Sequence, residues 1–349
     1  MRELRIDDRK VKDLASDDQG YLVLSYSERE GHGESPYGDM YTPSLMRFDR
    51  KLNLVWDVSL PETIMPEYKA IASAEGVCYM VGNHSDIVAK KCVGLLTKLD
   101  SEGRVLSTKE YATAGYNSTE ISGLRTLPDG ELLLLMDVYR TYGSAGTPCI
   151  ARVDRMGRIL WQKVLEPGMA YALVAQAMVL RDGGLLVACK VMPTREDLKN
   201  AKSVYSLTRL NLNTGHLEWT RRMPELNGLQ QILEEPDGNL IGVCSREGEL
   251  TRTAQIIRMR NDGTAPQVLY RGGEGDGLVD YLAKVDTDPK GVFTGVGYVD
   301  RNTHRFMKMQ TDGRVLWEHE VKQAMLMDSD VRPSGTMMMA FQHRLVLVE

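Results

Sequence analysis

The sequence predicts an all-β fold of repeated four-stranded units, and three observations carry the prediction. A glycine turn recurs at near-constant spacing, strand-like runs flank each copy, and no segment holds a sustained helical period. The turns are Asp18-Gln19-Gly20, Glu75-Gly76, Pro128-Asp129-Gly130, Asp182-Gly183, Pro236-Asp237-Gly238, Pro289-Lys290-Gly291 and Pro333-Ser334-Gly335. Successive glycines stand 56, 54, 53, 55, 53 and 44 residues apart along the 349 residues. A fixed period of this length signals an array of supersecondary units.

Each unit reads the same way. A strand enters the turn, glycine supplies the positive φ of a tight hairpin, and a strongly apolar strand leaves it, as in ELLLLM and GLLVAC. A variable loop, a third strand, a second tight turn and a fourth strand follow. IARVDRMGRILWQKVL and RFMKMQTDGRVLWEHEV are examples, with the period-two alternation of half-buried strands. Four strands per unit and seven units predict a seven-bladed β-propeller, one domain over 1–349. The blades run over 11–60, 68–111, 121–165, 173–223, 229–272, 279–321 and 323–349. The last copy is short, so residues 2–6 are expected to pair beside 343–348, closing the last blade with the N-terminal strand and covering its edge.

The tryptophans Trp56, Trp161, Trp219 and Trp317 fall at one position of the fourth strand. That recurrence predicts buried wedges between neighbouring blades.

Asn211-Leu212-Asn213-Thr214-Gly215-His216-Leu217-Glu218-Trp219 resembles the Thr-Gly-x-x-x-Trp element of quinoprotein-like (PQQ-repeat, WD40-like) propellers. Asp154-Arg155-Met156-Gly157 and Thr311-Asp312-Gly313 carry shortened versions, each with tryptophan at the same offset. The resemblance is architectural. The quinone-binding members resemble larger, eight-bladed rings, many with a vicinal cysteine pair, and this chain has no adjacent cysteines. No cofactor is expected. The chain looks more like cofactor-free propellers that bind proteins.

Composition narrows the function classes. The formal net charge is −5, and no dense Lys/Arg block occurs, which disfavours binding nucleic acid through its phosphates. No apolar run reaches the roughly 18 residues of a membrane span. The start MRELRIDDRK lacks a signal-peptide apolar core, so a cytoplasmic location is expected, or an exported one if a signal has been removed. The five cysteines are widely spaced without CxxC, which predicts reduced, buried thiols and no metal site.

Within a unit the short turns share one end and the long connections the other. The long connections, 28–42, 84–91, 140–147, 193–202 and 271–277, define a loop face, where rigid scaffolds carry function. Tyr37, Tyr41, Tyr116, Arg140, Tyr142 and Arg271 on that face suit contact with a protein or peptide, since tyrosine offers large contact area at low entropic cost. An ordinary solvated rim is the other reading. His32, His84, His304 and His343 fall near the same end and suit acid–base chemistry if they converge.

Along the first strands, Asp13, Lys69, Lys284 and Asp328 stand seven residues before their glycines. They line a channel, either as a self-paired charge belt or as a site for a small polar molecule. The leading expectation is a binding module that presents its loop face to a protein or peptide. The alternative is a lyase, isomerase or hydrolase with a histidine-containing pocket.

Overall fold

The computed structural model describes residues 2–6, 9–28, 41–60, 66–86, 88–141, 144–166, 169–199, 204–226, 228–247, 252–271, 281–287, 293–300, 303–310, 314–322, 326–331, 337–341 and 344–348. Its contacts divide the chain into two compact units: Met1–Pro167 with Met327–Asp330 and Met337–Glu349, and Gly168–Leu326 with Val331–Thr336.

In the first unit, three antiparallel blades are each a run of four consecutive strands. They are β2–β5 (Arg9–Asp17, Gly20–Glu28, Tyr41–Asp49, Leu54–Ser59), β6–β9 (Pro66–Ala74, Val77–Asp86, Lys91–Leu99, Val105–Tyr111) and β10–β13 (Ser118–Thr126, Leu132–Tyr139, Thr147–Val153, Ile159–Val164). The second unit holds β14–β17 (Tyr171–Val179, Gly184–Met192, Val204–Asn211, Leu217–Met223), β18–β21 (Leu229–Glu234, Leu240–Glu247, Arg252–Met259, Gln267–Arg271) and β22–β25 (Tyr281–Thr287, Phe293–Asp300, Thr303–Met309, Val315–Lys322). The strands β1 (Arg2–Arg5), β26 (Leu326–Val331), β27 (Met337–Phe341) and β28 (Arg344–Val348) form a sheet in the order β1-β28-β27-β26.

The seven-bladed expectation therefore needs correction. Six blades are runs of four consecutive strands, and the remaining sheet is a composite of both chain ends. The seventh copy supplies three strands of that sheet, β26, β27 and β28, and β1 supplies the fourth. In the composite sheet Arg2 pairs with Leu347, Leu4 with Leu345 and Arg5 with Arg344.

The second strands β3 and β7 are apolar on both faces because a neighbouring sheet covers each side. Along β3, Tyr21 and Val23 join a core with Ile6, Phe48, Met338 and Leu345, while Leu22 and Leu24 join another with Ile71, Met80 and Leu99. Along β7, Cys78 and Met80 face that second core, and Tyr79 and Val81 face a third with Leu132, Leu134 and Met136. The period-two alternation thus assigns each side chain to one inter-blade layer. Each fully buried leucine contributes about 1.5–3 kcal/mol.

Trp56, Trp161 and Trp219 are half-buried rather than buried, and the side chain of Trp317 lies outside the described residues. The fourth strand is the outer edge of its blade, so the ring covers its neighbour on one side only. Trp56 donates its indole N–H to the Ser101 carbonyl of the next blade at 2.8 Å.

Candidate binding face

The first strands carry a feature that the repeat does not announce. A β-bulge interrupts pairing at one level of β2, β6, β10, β14, β18 and β22, placing Lys12, Lys69, Ser122, Ala175, Gln230 and Ala283 out of register. Bulges re-aim side chains and increase local twist. Lys69 therefore sits level with Lys12, and Ala70 takes the level of Asp13, because β6 reaches its turn glycine one residue sooner.

The residue after the bulge stitches blades together. Asp13 accepts from the Ile71 N–H at 2.7 Å. Gln176 accepts from the Ile232 N–H at 2.6 Å and donates to the Ile232 carbonyl at 2.9 Å. Asn83 does similar work from β7, accepting from the Ile121 N–H at 2.6 Å. These bonds satisfy first-strand backbone groups that no strand pairs, which would otherwise carry a desolvation cost.

Several arginines at the short-turn end are ion-paired. Asp17 accepts Arg47 at 2.5 and 2.8 Å and Ser73 of the next blade at 2.5 Å. Arg152 pairs with Asp129 at 2.6 Å and Glu131 at 2.5 Å. Arg209 pairs with Asp182 and Glu218, and Arg258 with Glu235 and Asp237. Arg155 reaches from β10–β13 to Glu75 of β6–β9 at 2.6 and 2.9 Å. Burial alone would raise the Asp17 carboxyl, but Arg47, Ser73 and the Gln19 N–H together hold it below its ordinary value. The arginines stand in a recurring triplet, Arg47-Phe48-Asp49, Arg152-Val153-Asp154 and Arg209-Leu210-Asn211, whose last residue accepts the backbone N–H groups of the outer turn.

The loop end of β6–β9 and β10–β13 is arranged differently. Arg140, exposed after β11, lies over the Tyr116 ring at 5.9 Å from its centroid. Asn117, beside Tyr116, takes the Tyr139 carbonyl on its backbone N–H at 2.8 Å and donates its side chain to the Lys90 carbonyl at 2.8 Å. This ties the β7–β8 hairpin to the Tyr116–Arg140 pair. The hairpin apex exposes Val88, Lys90 and Lys91, with Val88 95% exposed. Lys90 holds φ at +50°, a left-handed conformation unusual for a residue with a Cβ. Two carboxylates stand beside this cluster: Asp86 accepts the Ala89 N–H at 2.8 Å and Glu120 accepts the Tyr139 hydroxyl at 3.3 Å. Among the described residues, Lys90, Lys91 and Arg140 enter no ion pair.

Of the residues singled out in the sequence, Tyr116 and Arg140 are thus brought together. His84 lies half-buried on β7, paired in register with Pro66 and Val93. Tyr41, Arg271, Lys284, His304 and Asp328 are placed on β4, β21, β22, β24 and β26 by backbone register alone. His32, Tyr37, Tyr142 and His343 lie outside the described residues. Among the described residues no three His, Cys, Asp or Glu side chains gather as metal ligands would, and no helix is long and apolar enough to cross a membrane. Sequence reading passed over Val88, Lys90 and Lys91. The available signal was a lysine pair, Ala89-Lys90-Lys91-Cys92, closing one of the long connections.

Similarity to solved structures places this architecture. The Dos1 propeller superposes with a TM-score of 0.61 at 9% identity, over 99% of this chain and 93% of that one. The fold is a β-propeller. The β-propeller domain of the Trilobed protease from Pyrococcus furiosus, described as having an open velcro topology, superposes at 0.55 with 11% identity over 99% and 94%. In the present propeller β1 pairs with β28. No protein-family model matches the sequence, and no curated protein matches it either.

Proposed function

We propose that this propeller is a binding module that engages a protein or peptide through the loop end of β6–β9 and β10–β13. One contrast carries the reading. Arg47, Arg152, Arg155, Arg209 and Arg258 at the short-turn end are engaged in ion pairs within and between blades, whereas Arg140 is exposed, stacked on Tyr116 and in no ion pair among the described residues. Tyrosine and arginine on a rigid support lose little entropy on binding and are the side chains that interfaces favour.

A photo-crosslinking residue at Thr141 should capture a partner from an extract of the source cells. The same residue at Met156, exposed at the short-turn end, should not. Crosslinks from position 156 alone would show that the opposite end is the working one.

A further inference from the structure

We infer that the loop end of β6–β9 and β10–β13 recognises an acidic peptide segment, one that carries carboxylates beside an apolar side chain. The inference rests on the binding role proposed for that end and names the chemistry of its partner. Three cations, Lys90, Lys91 and Arg140, stand exposed with no ion pair among the described residues. The carboxylates that adjoin them, Asp86 and Glu120, are engaged with the Ala89 N–H and the Tyr139 hydroxyl. Those hydrogen bonds leave both carboxylates charged, so the three cations outnumber Asp86 and Glu120 by one, in a chain whose formal net charge is −5.

An arginine stacked on an aromatic ring keeps its guanidinium edge available, and that edge matches a carboxylate in a planar, two-point contact. Val88, 95% exposed on the same hairpin, supplies apolar surface within a few residues of the lysines. The hairpin is held in place by the Asn117–Lys90 bond, so the lysines project from a fixed support. The left-handed backbone at Lys90 marks a place where glycine would fit with less strain, yet a lysine stands there. A long polyanion such as nucleic acid is the weaker match, because the surrounding chain is acidic and the basic cluster is short.

The test measures fluorescence anisotropy with three labelled probes on the full chain. The probes are a short peptide alternating glutamate and leucine, the same peptide with glutamine for glutamate, and oligothymidine of matched charge. The glutamate peptide should bind about tenfold more tightly than the glutamine peptide at low salt, and the preference should collapse as salt screens it. Lys91→Glu with Arg140→Glu should abolish the preference. Lys90→Gly should weaken it while leaving the melting temperature unchanged or raised, which separates lost charge from lost fold.

Equal binding of both peptides would overturn the acidic class. If that shared binding were lost in Tyr116→Ala, the proposed binding end would survive. A glutamate preference that persisted in the double charge reversal would overturn both. Tighter binding of oligothymidine than of the glutamate peptide would overturn a peptide partner in favour of nucleic acid. No binding of any probe would overturn the acidic inference, and the crosslinking comparison would then decide the binding end on its own.

Discussion

Gly103 lies against the indole of Trp56. A Cβ at Gly103 would stand 3.1 and 3.2 Å from Cε3 and Cζ3 of that ring and 2.7 Å from Cγ2 of Val58, and its φ is +82°. The outer turn of one blade is thus seated on the outer strand of the blade before it. Glycine is needed twice over, for the backbone conformation and for the close approach.

This contact predicts non-additive stabilities. Trp56→Ala should cost about 2 kcal/mol, less than a fully buried tryptophan because the ring is half-exposed. Gly103→Ala should cost about 1–2 kcal/mol from strain and crowding. Combined, the two should cost less than their sum, since removing the ring makes room for the methyl group. Urea denaturation of the four proteins measures the coupling, and strict additivity would mean that the contact contributes nothing.

The Asp17–Arg47 pair predicts a pH dependence. The folded Asp17 carboxyl lies below its ordinary value of 3.8, so the fold favours the charged form more than the unfolded chain does. Its contribution is complete above the ordinary value and is lost as pH falls through the lower, folded one. Asp17→Asn should lower stability at pH 7 by about 2 kcal/mol, because Arg47 is left buried without its partner. It should also flatten the acid limb of the stability curve. Urea midpoints at pH 7 and in the acid range compare the two proteins. An unchanged acid limb would exclude this pair as a source of acid lability.

The thiols predict inertness. Burial pushes Cys78 and Cys149 up to about 11 and Cys244 up to about 12. The thiolate is the reactive form, so these positions should resist iodoacetamide at pH 8 in the native protein and react once urea unfolds it. Mass spectrometry of alkylated peptides reads the difference, and rapid native labelling of any of the three would contradict the packing described.

Much of this architecture was legible in the sequence, and for a physical reason. Hairpin glycines and two-faced apolar strands are local necessities, so each copy had to restate them. The ion-paired arginines were equally repetitive, in Arg47-Phe48-Asp49 and Arg152-Val153-Asp154, but they are visible only once the turn aspartates are known to face them. The bulges were not legible. Lys12, Ser122 and Ala175 share no chemistry, because a bulge is a property of register and asks little of its side chain. Counting back from the glycine therefore placed Lys69 one level away from where the strand holds it. The loop end was readable at Tyr116 and Arg140 as residue types. That Asp86 turns to the Ala89 N–H and Glu120 to the Tyr139 hydroxyl, while Lys90, Lys91 and Arg140 enter no ion pair among the described residues, is set by side-chain geometry that no spacing encodes.

The Gln176–Ile232 pairing predicts an unusually strict side-chain requirement. A primary amide meets both the N–H and the carbonyl of one buried residue, at 2.6 and 2.9 Å, so it must donate and accept at once. Gln176→Ala leaves both backbone groups unsatisfied and should cost about 2–3 kcal/mol. Gln176→Glu keeps the shape and the acceptor but turns a second oxygen toward the Ile232 carbonyl. It should be destabilising at pH 7 and recover as acid protonates that carboxyl and restores a donor. Gln176→Leu, similar in volume but without polar atoms, should behave like the alanine variant rather than like wild type. Thermal melts of the three variants at pH 7 and at mildly acid pH separate these cases. A leucine variant as stable as wild type would show that water satisfies the Ile232 backbone, and that the amide is dispensable.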